Sequence, residues 1–213
     1  MPEQVSRRRS EAAGGIELLV AIVGVMWVVE IINSIDSQGL DTDGIHARSV
    51  AHLWGIFTAP FLHVGWGHLI SNTVPLLFLG VIVALRGAAR LGVVTAIVIV
   101  LGGLGTWLIA PAGSNTVGAS GVVFGYATYL LARGFFNRRV LEVLTGLVVG
   151  VVWGGALVAS LVPHPGISWQ GHLCGGLAGI VAAWILARPR GGQGPGGRGG
   201  SPGEAALGFP RTR

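Results

Sequence analysis

Apolar residues run in six long stretches, at approximately Ile16 to Ile35, Leu69 to Leu85, Leu91 to Ala110, Gly118 to Phe136, Val140 to Leu161 and Gly171 to Ala187, separated by arginines, prolines or acids. A hydrocarbon core of ~30 Å takes about 20 helical residues to cross. The pattern therefore predicts an all-α, polytopic membrane protein with a six-helix bundle. The first stretch is long and lacks a small-x-small cleavage site, so it reads as a retained span and not a signal peptide. Nothing marks a second domain. Residues 1–15 form an N-terminal segment, 16–187 the membrane domain, and 188–213 a tail whose Gly, Pro and Arg content predicts disorder.

Arginine placement orients the helices, because cytoplasmic loops carry the positive charge. With the N-terminus inside, Arg7, Arg8, Arg9, Arg86, Arg90, Arg133, Arg138, Arg139, Arg188, Arg190, Arg198, Arg211 and Arg213 all fall on the cytoplasmic side, and Arg48 alone lies outside. Both termini are then cytoplasmic. The external loop holding Arg48, residues 36–67, carries Asp36, Asp41 and Asp43 together with Trp54, Phe57, Phe61 and Trp66, aromatic residues suited to the membrane interface.

Composition agrees with lipid as the solvent. Only 11% of the 213 residues are charged, against roughly 25% in ordinary soluble domains, and the mean hydropathy is +0.69. A soluble protein and a chain disordered over most of its length are both excluded. The net charge of +5 is accounted for by topology, without a nucleic-acid partner. Cys174 is the single cysteine, so no intramolecular disulfide can form. Arginine without lysine, together with abundant glycine and alanine, hints at a GC-rich bacterial genome.

Polar groups inside spans are costly and are functional candidates by default. The second stretch opens with His68 and Asn72, four residues apart on one helix face. The fourth opens with Gly118-Ala119-Ser120-Gly121, and the sixth carries His172 near its start. Each of these helices enters from the outside, so the polar groups share one level, a few ångströms to about 10 Å below the outer surface at ~1.5 Å per residue. Gly175, Gly176 and Gly179 share a face with His172, and the fourth helix answers with Gly121 and Gly125; such smooth faces let backbones approach closely. That approach is what a short Ser120 to His172 hydrogen bond requires.

Taken singly these signals have ordinary explanations. Serine in a membrane helix commonly bonds its own backbone, and glycine stripes are mostly packing devices. A metal site built from His63, His68, His172 and Cys174 is disfavoured, since Cys174 lies roughly 200° around the helix from His172 and H-E-x-x-H is absent. A transporter or channel should show charges near the bilayer centre, whereas the acids near spans are Glu17, Glu30 and Glu142. No carboxylate lies at the right level of helices four or six, so a serine hydrolase built here is a Ser-His dyad without the third member of a triad.

Three separated motifs, His63-x4-His68-x3-Asn72, Gly118-x-Ser120-Gly121 and Gly171-His172-x2-Gly175-x3-Gly179, stand in order across residues 16–187, and the tract from Leu53 to His63 precedes them. Together they resemble the rhomboid family of intramembrane serine proteases, in the six-helix form common in bacteria. The resemblance implies Ser120 as nucleophile, His172 as general base, and His68, Asn72 and the Ser120 backbone N–H as the oxyanion hole. It implies no cofactor and no metal. The partners it implies are transmembrane protein substrates in the lipid bilayer of a bacterial plasma membrane. The competing function is that of a catalytically inactive relative that binds membrane clients. This sequence departs from the family pattern at Gly171, usually alanine, at Phe124, often a tyrosine that stacks on the catalytic histidine, and at Trp54-Gly55, where Trp-Arg is common.

Overall fold

A computed structural model describes residues 2–164 and 166–187. The tail predicted to be disordered, 188–213, lies outside the described residues. Helix α1 spans Pro2–Ile35, and the segment expected to be external follows with short turns, the strand β1 (Ile45–His46) and the short α2 (Gly55–Thr58). Then come α3 (Gly65–Ala84), α4 (Ala88–Ile97) and α5 (Gly103–Ile109), the last two joined through a π-turn at Val98–Gly102. Strand β2 (Asn115–Thr116) precedes α6 (Ser120–Asn137), α7 (Val140–Ala159) and α8 (Trp169–Ile185).

The six apolar stretches correspond to α1, α3, α4 with α5, α6, α7 and α8, and the fold is an all-α polytopic membrane bundle. Four of these helices are long and apolar enough to cross a membrane by that measure alone: α1, α3, the continuous Ala88–Ile109 and α7. The other two, α6 and α8, have 18 and 17 residues. Both sit in the middle, packed on each other more extensively than any other helix pair, so they need less apolar surface for lipid. Helix α7 is the opposite case. Only 17% of its most apolar window is buried, against 50% for α3, and Val140, Leu141, Leu147 and Val151 stand free on the side left for lipid.

Element ends differ from the hydropathy pattern where helix formation does not need apolar residues. Helix α1 begins at Pro2, well before Ile16; its first turns are polar and include the Arg7–Glu11 ion pair at i,i+4. Helix α3 starts at Gly65, four residues before Leu69, so His68 lies in its first turn. Arg133, counted with the cytoplasmic charges at the end of the fourth stretch, is inside α6 and buried, with its guanidinium 2.6 Å from Glu142 Oε1. Arg86 reaches the same oxygen at 2.9 Å, and Asn137 donates to Oε2. This shared carboxylate ties α6, α7 and the α3–α4 corner together at one end of the bundle, and losing one partner of such a buried pair is strongly destabilising.

Glycine decides how near α6 and α8 can lie. A Cβ on Gly175 would overlap the Gly121 carbonyl, and one on Gly179 would overlap the Gly125 carbonyl. Thr128 adds a cross-helix bond to the Gly176 carbonyl at 2.7 Å. Gly175→Ala must push the two backbones apart. It should lower unfolding stability in micelles by about 1–3 kcal/mol of overpacking, although alanine is otherwise the better helix former by about 1 kcal/mol. Gly154→Ala on α7, where nothing lies within 4 Å, is the control and should be neutral or stabilising by the same thermal assay.

Candidate active site

The α6 N-terminus is set by the chain entering it. β2 pairs antiparallel with β1, Ile45 opposite Thr116 and His46 opposite Asn115, which ties this entry to the segment between α1 and α3. Gly118 then takes φ +114, a left-handed conformation natural to glycine. Its N–H donates to the Ala59 carbonyl at 2.8 Å, and the Ala119 N–H donates to His63 Nε2 at 3.4 Å. Ser120 follows as the first helical residue. Its backbone N–H belongs to the turn that has no intrahelical acceptor.

His172 sits in the first turn of α8, which Ser168 caps by accepting the Gly171 N–H at 3.3 Å. The imidazole lies flat on Phe124, with ring centroids 4.3 Å apart and planes 4° from parallel. Its Nδ1 is 2.9 Å from the Ser160 carbonyl. A carbonyl only accepts, so Nδ1 carries the proton and Nε2 is left with a lone pair.

His68 has the reverse arrangement. The Val64 N–H donates to His68 Nδ1 at 3.2 Å, which leaves the proton on Nε2. Asn72, 4% exposed, spends one amide hydrogen on the His68 carbonyl at 3.0 Å and keeps the other. A Cβ on Gly118 would meet His68 Nε2 at 2.7 Å and Asn72 Nδ2 at 3.7 Å. Both nitrogens thus flank one point two residues from Ser120, and any side chain at 118 would displace the His68 ring.

Ser120, His172, His68, Asn72 and Phe124 all line one cavity of about 1110 Å³ that also takes in Ser160, Ser168, Trp153 and Gln170. The short Ser120 to His172 hydrogen bond expected from the sequence is not formed among the described residues, although both residues line the same space. His63 is fully buried outside the cavity lining, its ring 5.1 Å from that of His68. Gly121, Gly175 and Gly179 belong to the α6–α8 seam. Cys174 turns toward α5, where its Sγ would meet a Cβ on Gly105 at 2.8 Å. Among the described residues no three His, Cys, Asp or Glu side chains gather as a metal site would need.

Three contributors were missed by sequence reasoning. The Ser160 carbonyl is a backbone group and leaves no trace in residue type. Gln170 is two residues before His172, immediately ahead of the sixth stretch, where a carboxamide beside an apolar run was itself a signal. Asn33, fully buried on α1, accepts the Leu40 N–H at 3.0 Å and donates to Asp41 Oδ1 at 2.9 Å, with Gln38 Oε1 at 3.1 Å and the His63 carbonyl at 3.4 Å. It brackets the segment between α1 and α3 just upstream of the Val64 N–H that sets His68. Burial pushes the Asp41 carboxyl up from its usual range, opposed by the Asn33 bond and by the nearby His68. Burial, with His68 beside it, pushes His63 down to about 4.

The Rhomboid domain family model matches residues 50–189 of the chain. An uncharacterised protein of Mycobacterium tuberculosis is 42% identical over 194 residues, covering 87% of this chain and 80% of its own length. Rhomboid-like protein 11, chloroplastic, of Arabidopsis thaliana is 28% identical over 78% of this chain and 66% of its own. The rhomboid protease GluP of Bacillus subtilis is 27% identical over 65% of this chain and 27% of its own. The domain match spans well over half of the chain, and a relative 42% identical covers most of it: the chain belongs to the rhomboid family.

Proposed function

We propose that this protein is an intramembrane serine endopeptidase that cleaves single-pass membrane proteins in or near their transmembrane segment, close to the outer face of a bacterial plasma membrane. The observation that carries the reading is the proton placement on two histidines facing one cavity with Ser120. His172 presents a lone pair and His68 presents an N–H. Ser120 Oγ attacks the scissile carbonyl as its hydroxyl turns toward His172 Nε2, which takes the proton and returns it to the leaving amine. His68 Nε2–H, the second Asn72 amide hydrogen and the Ser120 N–H receive the oxyanion. Water then releases the acyl group by the same base.

Substrate carbonyls in a helix are already hydrogen-bonded, so the segment must unwind before attack. Phe124 holds the imidazole flat, and His63 braces the turn before Ser120. Residues 16–187 form the working domain, with the 1–15 segment and the 188–213 tail cytoplasmic.

Reconstituted protein should cleave a fluorogenic transmembrane substrate, and Ser120→Ala or His172→Ala should abolish that cleavage. Activity surviving either change removes the dyad, and an inactive wild type across a substrate panel favours a client-binding relative. Asn72→Ala should lower turnover by about 10²-fold, the scale of an oxyanion donor, with substrate affinity little changed.

The histidine brace adds an acid limit. An unfolded His63 titrates at about 6.5, whereas the folded one is held to about 4, so the unfolded chain binds the extra proton first. Its contribution to stability is complete above pH 6.5, falls as pH drops toward 4, and is lost below that, a change of about 3 kcal/mol. Unfolding of wild type and His63→Gln across pH 7 to 4 measures it: the wild type should lose stability over this window more steeply than the variant.

A further inference from the structure

Among the described residues, carboxamide side chains are almost all committed. Asn33 holds Leu40 and Asp41, Gln38 accepts from Asn33, Asn72 donates to His68, Asn115 donates to the Asp41 carbonyl, and Asn137 donates to Glu142. Gln4 lies in the open. Gln170 is the exception. It is 8% exposed, it lines the cavity that holds Ser120 and His172, and among the described residues its carboxamide has no hydrogen-bond partner.

The Gln170 carboxamide is not among the buried polar atoms sealed from solvent, so in the free protein it meets the cavity and spends none of its hydrogen-bonding capacity on the protein. A ligand entering the cavity finds that capacity unused. Gln170 offers two donors and an acceptor, the complement of a peptide backbone with a free carbonyl and a free N–H. A transmembrane segment that unwinds to reach Ser120 exposes such groups at a depth where little water can satisfy them.

From this geometry we infer that Gln170 is a substrate-binding residue whose carboxamide pairs with the unwound backbone of the transmembrane substrate beside the scissile bond. This inference rests on the peptidase reading of the site. Gln170 touches the substrate chain and not the reacting carbonyl, so its effect falls on substrate capture. Because it reads backbone, it acts on substrates regardless of their side chains.

The test compares wild type, Gln170→Leu and Gln170→Ala in liposomes, with a set of transmembrane substrates that differ in the residues flanking the cleaved bond. A small fluorophosphonate that reacts with Ser120 serves as the second readout. Losing the bonds should raise KM about 10-fold for every substrate, with kcat little changed and fluorophosphonate labelling retained. The unfolding temperature of Gln170→Leu should match that of wild type, since the carboxamide makes no hydrogen bond within the protein to lose.

Wild-type KM in Gln170→Leu overturns the inference. So does a loss confined to substrates with one kind of polar side chain, or a loss accompanied by a lower unfolding temperature, which would mark a structural residue. A wild type that neither cleaves nor takes the label overturns the peptidase reading itself, an outcome distinct from the others.

Discussion

The close contact between α6 and α8 is the constraint from which the rest follows. Gly121 against Gly175 and Gly125 against Gly179 leave no room for a side chain between the backbones. In lipid there is no hydrophobic gain from pressing two apolar helices together, so contact of this kind depends on packing and on cross-helix bonds such as Thr128 to Gly176. The seam fixes the helices in register as well as in distance. Gly121 follows Ser120 directly and Gly175 lies one turn below His172, so the nucleophile candidate and the histidine are brought to one level by the same atoms that hold the bundle together. Phe124, in the next turn of α6, is thereby placed flat under the imidazole.

Proton placement is then a matter of which backbone group each histidine meets. His172 Nδ1 finds the carbonyl of Ser160 at the end of α7, and His68 Nδ1 finds the N–H of Val64 at the start of α3. One side chain type yields an acceptor and a donor on the same cavity, with no titration required. The segment between α1 and α3 secures the second of these. Asn33, Asp41 and the β1–β2 pairing hold the chain around His63 and Val64, and Gly118 yields its side-chain space to the His68 ring.

The sequence made the bundle legible because lipid demands long apolar runs, and the shared polar level legible because polar groups there are rare. Its six stretches all became helices, and the glycine stripe following His172 became the seam it suggested. Boundaries were less visible: the polar first turns of α1 and the Gly65–His68 turn of α3 carry no hydropathy signal. Arg133 was read only as a topology signal because residue type does not show its buried partner, Glu142. The Ser160 carbonyl could not be read from any side chain. Asn33 and Gln170 could have been singled out as amides within or beside apolar runs, but their partners, or lack of them, depend on three-dimensional contacts.

The missing carboxylate has a physical logic in this setting. In a soluble triad a buried acid orients the histidine and stabilises the imidazolium that forms. An ionised carboxylate placed between apolar helices carries a large desolvation cost through every resting moment. The Ser160 carbonyl supplies orientation as a neutral dipole, and Phe124 restricts the ring. It stabilises an imidazolium less than a full negative charge would. In the proposed reaction the compensating charge is the oxyanion itself, created in the same step and held by donors around Gly118 and Ser120, so positive and negative charge appear as a pair. Two charges that arise together in a low-dielectric cavity attract strongly, and the donors that fix the negative member also determine how well the positive one is compensated. Removing such a donor therefore weakens both halves of the transition state, which makes the geometry of His68 and Asn72 more important here than in a site where an acid already balances the histidine.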